Sequence, residues 1–285
     1  PFALPEMQLP LGITIADLQG RDIRIVPAQG NPIQIDAINL KAHSQADGLH
    51  IETLELKSPL GEAQLSGQVN PTGDYPLRLD LYWQGSLPPY GVFTGQGVIQ
   101  GALREQLTLS HKITGPATLQ LDGQVRQPLT EAAWSAKAQL DVADLQAFTP
   151  ALAGKPLAVQ LEAQGLMARF QGQGNLTTIA PELGPTTLRF TAAGDPSAIK
   201  LDELRLTAPD WALNLLAAAE VRFADGALSR FQSQGELRAT VPELGPATLR
   251  FTAAGDPSAI KLDELRLTAP DWALNLLTTV EVQFA

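Results

Sequence analysis

The chain has 285 residues, of which 44 % are hydrophobic, enough apolar material for an ordered interior and too much for a disordered chain. A formal charge of −10 argues against a nucleic-acid surface, which needs clustered lysine and arginine. The absence of cysteine excludes disulfides and thiolate metal sites.

No apolar run approaches the roughly 18 residues that a membrane-crossing helix requires. The chain opens Pro1-Phe2-Ala3, without an initiator methionine or signal peptide, and ends directly after a strand pattern. It therefore reads as a piece of a longer protein whose targeting information lies elsewhere.

Residues 1–12 are punctuated by proline and read as an irregular or edge segment. Short alternating runs follow at Ile23/Ile25, Ile33/Ile35 and Ile38/Leu40, broken at turn positions by Pro27, Gly30, Asn31 and Pro32. Leu49–Lys57 is a strand whose alternation slips between Thr53 and Leu54, the mark of a bulge. The next strand sets Ala63, Leu65, Gly67 and Val69 against Glu62, Gln64, Ser66 and Gln68. The clearest alternation of the first half sets Leu77, Leu79, Leu81 and Trp83 against Arg78, Asp80, Tyr82 and Gln84. Further strands are expected at Leu107/Leu109, at Leu119/Leu121/Val125 and at Trp134–Val142. One helical turn is expected around residues 143–153.

The second half is dominated by a duplication. Gly165–Ala224 aligns with Gly226–Ala285 at an offset of 61 residues, and Thr187–Leu216 is identical to Thr248–Leu277. Each copy reads as four strands, in the first Met167–Leu176, Thr187–Ala193, Ala198–Thr207 and Trp211–Phe223. Gly194-Asp195-Pro196 and Ala208-Pro209-Asp210 supply turns. An even number of antiparallel strands returns the chain to the same edge, so another copy can follow, as in an array that grows by stacking neighbours. The expected organisation is a stretch of degenerate repeats over 1–164, repeat copy one over 165–225 and copy two over 226–285.

Catalytic patterns do not emerge. His43, His50 and His111 lack metal-ligand spacing and read as surface or edge-strand residues. Gly95-Gln96-Gly97-Val98-Ile99-Gln100-Gly101 lacks the spacing of a phosphate loop and reads as glycine within strands and turns. Asp202-Glu203 and Asp263-Glu264 are adjacent carboxylates, and strand neighbours point to opposite faces, which makes a poor acid–base pair. The chain is expected not to be an enzyme, with no catalytic residue, metal or cofactor.

What remains is distributed: strand after strand with one apolar and one polar face. Either two sheets bury those faces against each other as a sandwich, or one curved sheet lines a long groove with them.

The stretch Ile51-Glu-Thr-Leu-Glu-Leu-Lys-Ser-Pro-Leu-Gly-Glu-Ala-Gln-Leu-Ser-Gly-Gln-Val resembles the repeating unit of the TamB family of the bacterial translocation and assembly module. So do Trp134–Gly154 with the strand that follows, and the opening run Leu9–Leu18. TamB and its AsmA-like relatives are similar to bridge-like lipid-transfer proteins. The resemblance implies an all-β, elongated, curved and mostly antiparallel sheet, a β-taco with an open hydrophobic interior. It implies a periplasmic location, in a parent anchored to the inner membrane outside this stretch. It also implies phospholipid acyl chains carried between inner and outer membranes, a TamA-like outer-membrane barrel as partner, and a link to outer-membrane biogenesis.

On that geometry the groove is lined in the first half by Leu77, Leu79, Leu81, Trp83, Leu119, Leu121 and Leu140. In the repeats it is lined by Leu213, Leu215, Val221 and Phe223, and by their counterparts Leu274, Leu276, Val282 and Phe284. Two alternatives stand beside it: a spacer that chaperones outer-membrane proteins through its strand edges, and an adhesin-like stalk of closed sandwiches.

Overall fold

The computed structural model describes residues 12–25, 33–45, 48–181, 183–209, 212–224, 227–241, 245–269, 272–276 and 280–283. Its contacts divide the chain into two units, Pro1–Ala153 and Gly154–Ala285.

The first unit is a meander of nine strands. They are β1 (Thr14–Ile25), β2 (Ile33–Gln45), β3 (Gly48–Ser58), β4 (Gly61–Val69), β5 (Pro76–Leu87), β6 (Gly91–Ala102), β7 (Gln106–Thr114), β8 (Thr118–Arg126) and β9 (Ala133–Val142). Each pairs antiparallel with the next. Among the described residues no pairing joins β1 to β9, so this sheet does not close into a barrel. The expected helical turn is present as two short 3-10 turns, Leu145–Ala147 and Pro150–Leu152. Asp144 caps the first of them by accepting the Gln146 N–H at 2.9 Å.

The second unit continues the style with β10 (Leu157–Leu166), β11 (Arg169–Ala180), β12 (Gly184–Asp195), β13 (Ala198–Ala208), β14 (Leu213–Ala224), β15 (Ala227–Val241), β16 (Gly245–Asp256), β17 (Ala259–Ala269), β18 (Trp272–Leu276) and β19 (Val280–Gln283). Every pairing is antiparallel, and β17 pairs with β18 and then with β19. The four strands read from each repeat copy are therefore present. Trp211, which opened the fourth, lies outside the described residues.

The turns obey local chemistry. Asp195 Oδ1 accepts the backbone N–H of Ser197 at 2.7 Å, its hydroxyl at 2.6 Å, and the N–H of Ala198 at 3.0 Å. Asp256 repeats the pattern with Ser258 and Ala259. Register is likewise duplicated: Phe170 opposes Gly194 as Phe231 opposes Gly255, and the match holds down to Ala180 with Gly184 and Val241 with Gly245. One difference intrudes. Leu206 opposes Leu215, whereas its counterpart Leu267 opposes Leu274, a shift of two residues in identical sequence. An even shift keeps every side chain on its own face, so the apolar pattern permits it.

The bulge expected in β3 is present, with the register shifting between Ile51 and Leu54. A second bulge corrects the sequence reading. In β13, Thr191 opposes Glu203 and Ala192 opposes Leu201, so Asp202 is an extra residue. Asp202 and Glu203 consequently both face solvent, Asp202 paired with Lys200 at 3.0 Å and Glu203 with Arg205 at 2.8 Å. Each carboxylate is committed to its own cation.

Burial decides between sandwich and open sheet. Among the described residues the buried apolar side chains are Ala42, Tyr75, Val142, Ala208, Ala217, Ala247 and Ala253. No leucine, isoleucine, phenylalanine or tryptophan joins them, although two sheets packed face to face would bury such residues in number. The leucine-bearing faces are half-buried by their own neighbours and left open.

A candidate apolar groove

Taken across the strands instead of along them, the residues fall into continuous rows. One row runs Ile38–Leu56–Ala63–Trp83–Gly95–Ile113–Leu119–Leu140, from β2 to β9. Two residues along each strand, about 6.8 Å away, a second row runs Leu40–Leu54–Leu65–Leu81–Gly97–His111–Leu121–Ala138. Between them, on the other face, lies Glu55–Gln64–Tyr82–Gln96–Lys112–Gln120–Gln139. Alternation within each strand thus becomes an apolar surface spanning eight strands, because successive strands keep the same face inward.

That surface is concave. A cavity of about 500 Å³ lies against the first row, bounded by Leu56, Ala63, Trp83, Ile113, Leu119 and Leu140 and lined at one end by Leu60, Leu87 and Phe93. A flat pleated sheet bounds space on one side only. The volume falls within the range of small-molecule sites, and its walls are almost wholly apolar.

The floor of the groove contains a feature that the sequence reading missed. Trp83 Nε1–H donates to His111 Nε2 at 3.1 Å, and the two rings are nearly coplanar, 12° apart. They lie over β6, where Gly95 and Gly97 leave the room: a Cβ at Gly95 would overlap the Trp83 indole, and one at Gly97 the His111 imidazole. The glycines are strand residues, as expected, and their role is to admit these rings. His111 is corrected: it is a half-buried member of the apolar face in the interior of the meander. Its alternation with Leu107, Leu109 and Ile113 carried that signal. His43 and His50 do sit among the polar positions, stacked at 5.1 Å, with His43 Nδ1 3.0 Å from Glu52 Oε1.

A family model, TamB, N-terminal domain, matches residues 1–222. The chain belongs to the TamB family. No solved structure matches it significantly. Membership brings the coarser half of the sequence expectations with it: an all-β member of a family of envelope assembly and transport modules. No helix of the described residues is long and apolar enough to cross a membrane.

For this TamB chain the candidate lining residues distribute as follows. Trp83, Leu119 and Leu140 line the cavity itself. Leu77, Leu79, Leu81 and Leu121 share their face in neighbouring rows and are half-buried. Leu213, Leu215, Val221 and Phe223 are half-buried on β14 in the second unit, where Leu215 belongs to a row of leucines, Leu176–Leu188–Leu206–Leu215–Leu237–Leu249–Leu267–Leu274. Leu274, Leu276 and Val282 are placed by backbone register alone. Phe284 lies outside the described residues. Leu56, Ile113 and Phe93 also line the cavity and were not singled out from sequence, although the alternation along β7 carried the signal for Ile113.

The opposite face is polar and locally neutralised. In the second unit, Arg222 meets Glu220 at 2.7 Å and Arg250 meets Glu236 at 2.7 Å. Arg238 also holds Glu236, and these two arginines, Arg250 first, keep its carboxyl below the usual glutamate range. Such exposed pairs add little stability; they keep the outside of the sheet wet and soluble.

Proposed function

We propose that the concave apolar face of this TamB chain shields phospholipid acyl chains from water as they pass between the inner and outer bacterial membranes. The observation that supports this reading is the unbroken apolar row Ile38 to Leu140 with an open cavity against it. Each acyl methylene kept from water is worth about 0.8 kcal/mol. A surface whose successive rows offer equivalent contacts lets a chain slide with little change in free energy. Under this reading Leu77, Leu79, Leu81, Trp83, Leu119, Leu121 and Leu140 contact acyl chains in the first unit, and Leu213, Leu215, Val221 and Phe223 with their repeat counterparts do so in the second.

Phospholipid headgroups stay outside the groove, with solvent. The repeats over 165–225 and 226–285 act as equivalent length-setting modules. The chain works in the periplasm within a parent anchored to the inner membrane, in concert with a TamA-like outer-membrane barrel, and performs no chemistry of its own.

The test is photo-crosslinking in cells, with a photoreactive residue at Leu119 and a control at Gln120 on the opposite face. Lipid adducts at Leu119 and none at Gln120 are expected. Adducts at neither position, in folded protein, would reject a lipid-filled groove and favour protein contacts at strand edges instead.

A further inference from the structure

The two ends of the strands in the first unit differ in a way that the groove reading does not use. At one end three hairpin tips join β3 to β4 (Ser58–Gly61), β5 to β6 (Leu87–Gly91) and β7 to β8 (Thr114–Thr118), and none carries a charged residue. At the other end every tip described in full is charged: Asp74 between β4 and β5, Arg104 and Glu105 between β6 and β7, and Glu131 between β8 and β9, beside Arg126 at the end of β8.

The charged tips are tied to one another. Leu103 N–H donates to Tyr75 O at 3.2 Å, Arg104 N–H to Asp74 O at 3.2 Å, and Gln127 N–H to Glu105 O at 2.7 Å. Tyr75 is buried there, with the Arg104 guanidinium 5.1 Å from its ring centre. The uncharged tips instead present exposed apolar side chains. Leu60 is 71 % exposed and Leu87 is 54 % exposed, and both also line the ~500 Å³ cavity. Tyr90, in the same tip as Leu87, adds a further exposed ring. Leu103 and Leu129 on the charged tips are half-buried.

We infer that phospholipid enters the groove over the uncharged lip, with Leu60 and Leu87 handing acyl chains from a membrane surface into the cavity. The inference rests on the lipid-groove reading. Its physical basis is continuity: Leu60 and Leu87 themselves line the cavity, so the lip runs into it over apolar side chains, with Glu62 alone among charged residues on its wall. Over the opposite tips it would meet Asp74, Arg104, Glu105, Arg126 and Glu131. The most exposed large apolar residue of the lip therefore has a use, where it would otherwise be an aggregation liability.

The experiment follows capture of a fluorescent phosphatidylethanolamine by the full chain from vesicles of phosphatidylethanolamine and phosphatidylglycerol. The double variant Leu60→Glu/Leu87→Glu is expected to capture lipid at least about tenfold more slowly, because carboxylates now stand on the path. Its final occupancy should fall far less than its rate, because the floor of the groove is untouched. Gln106→Glu/Thr130→Glu places the same charge at the other end and should load at the wild-type rate. Leu119→Glu, in the groove floor, should abolish occupancy.

Wild-type loading by the lip variant, with Leu119→Glu still empty, would overturn the entry route and leave the groove standing. Equal slowing by the control variant would also overturn it, since general repulsion by the vesicle would then explain the effect. Normal filling of Leu119→Glu would overturn the groove reading itself. Leu60→Gln/Leu87→Gln supplies an uncharged version; both residues are mostly exposed, so neither pair removes core packing.

Discussion

Trp83 on β5 and His111 on β7 are joined by a 3.1 Å hydrogen bond that passes over the glycines of the strand between them. The bond ties two next-nearest strands through their side chains and pairs two polar atoms within an apolar face. Replacing His111 with phenylalanine keeps the ring and orphans the indole N–H, which should destabilise the fold by about 1–3 kcal/mol. His111→Gln, which keeps an acceptor, should recover part of that loss. Chemical denaturation of the two variants measures the difference. Gly97→Val should destabilise as well, by pushing the imidazole off β6.

The faces of β14 offer a neighbour-to-neighbour test. Leu215 is half-buried within the leucine row, whereas Leu216 is 49 % exposed on the polar face beside Arg205 and Glu236. Leu216→Lys should change stability by no more than about 0.5 kcal/mol. Leu215→Lys places a charge among leucines and should lower lipid crosslinking sharply while the sheet persists, because the face is open enough for a long side chain to reach water. Circular dichroism together with lipid adduct yield separates these outcomes. Wholesale unfolding of Leu215→Lys would mark that face as closed core.

Acid should loosen the repeat turns. The carboxyls of Asp195 and Asp256 lie below the usual aspartate range because each accepts the hydroxyl and backbone N–H of the serine two residues on, and then an alanine N–H. A carboxyl whose folded pKa lies below its unfolded value, about 3.9, stabilises the fold above that pH. The contribution disappears as pH falls through the lower, folded value. Thermal unfolding midpoints should therefore drop below about pH 4, and Asp195→Ala/Asp256→Ala should show a shallower drop from a lower starting point.

Modularity has a direct consequence. The β10 to β11 register sets Val159 opposite Leu176 and Leu161 opposite Gly174, and β15 carries Leu237 and Gly235 at the equivalent positions. Deleting residues 165–225 should let β15 take the place of β11 and preserve both rows. The shortened chain is expected to give the same β-type circular dichroism and one cooperative transition. A soluble aggregate, or a loss of β signal, would show that the copies are not interchangeable.

The sequence by itself determined the strands, their faces and the fourfold plan of each repeat, because these follow from period-two alternation and from turn chemistry within a few residues. Leu77, Leu79, Leu81 and Trp83 announce one face whatever lies beside them, and Asp195 builds its turn with its own neighbours. Only the tertiary structure decided what depends on the strand next door. The bulge that turns Asp202 and Glu203 the same way is a mismatch in count between two strands and is invisible in either alone. His111 became a groove residue because Gly97 opposite leaves room for its ring. Sandwich and open sheet demand the same alternation, and they differ in whether a second layer covers the leucines. Half-burial of those leucines resolved it, since coverage is a property of packing between distant segments and leaves no mark on the local pattern.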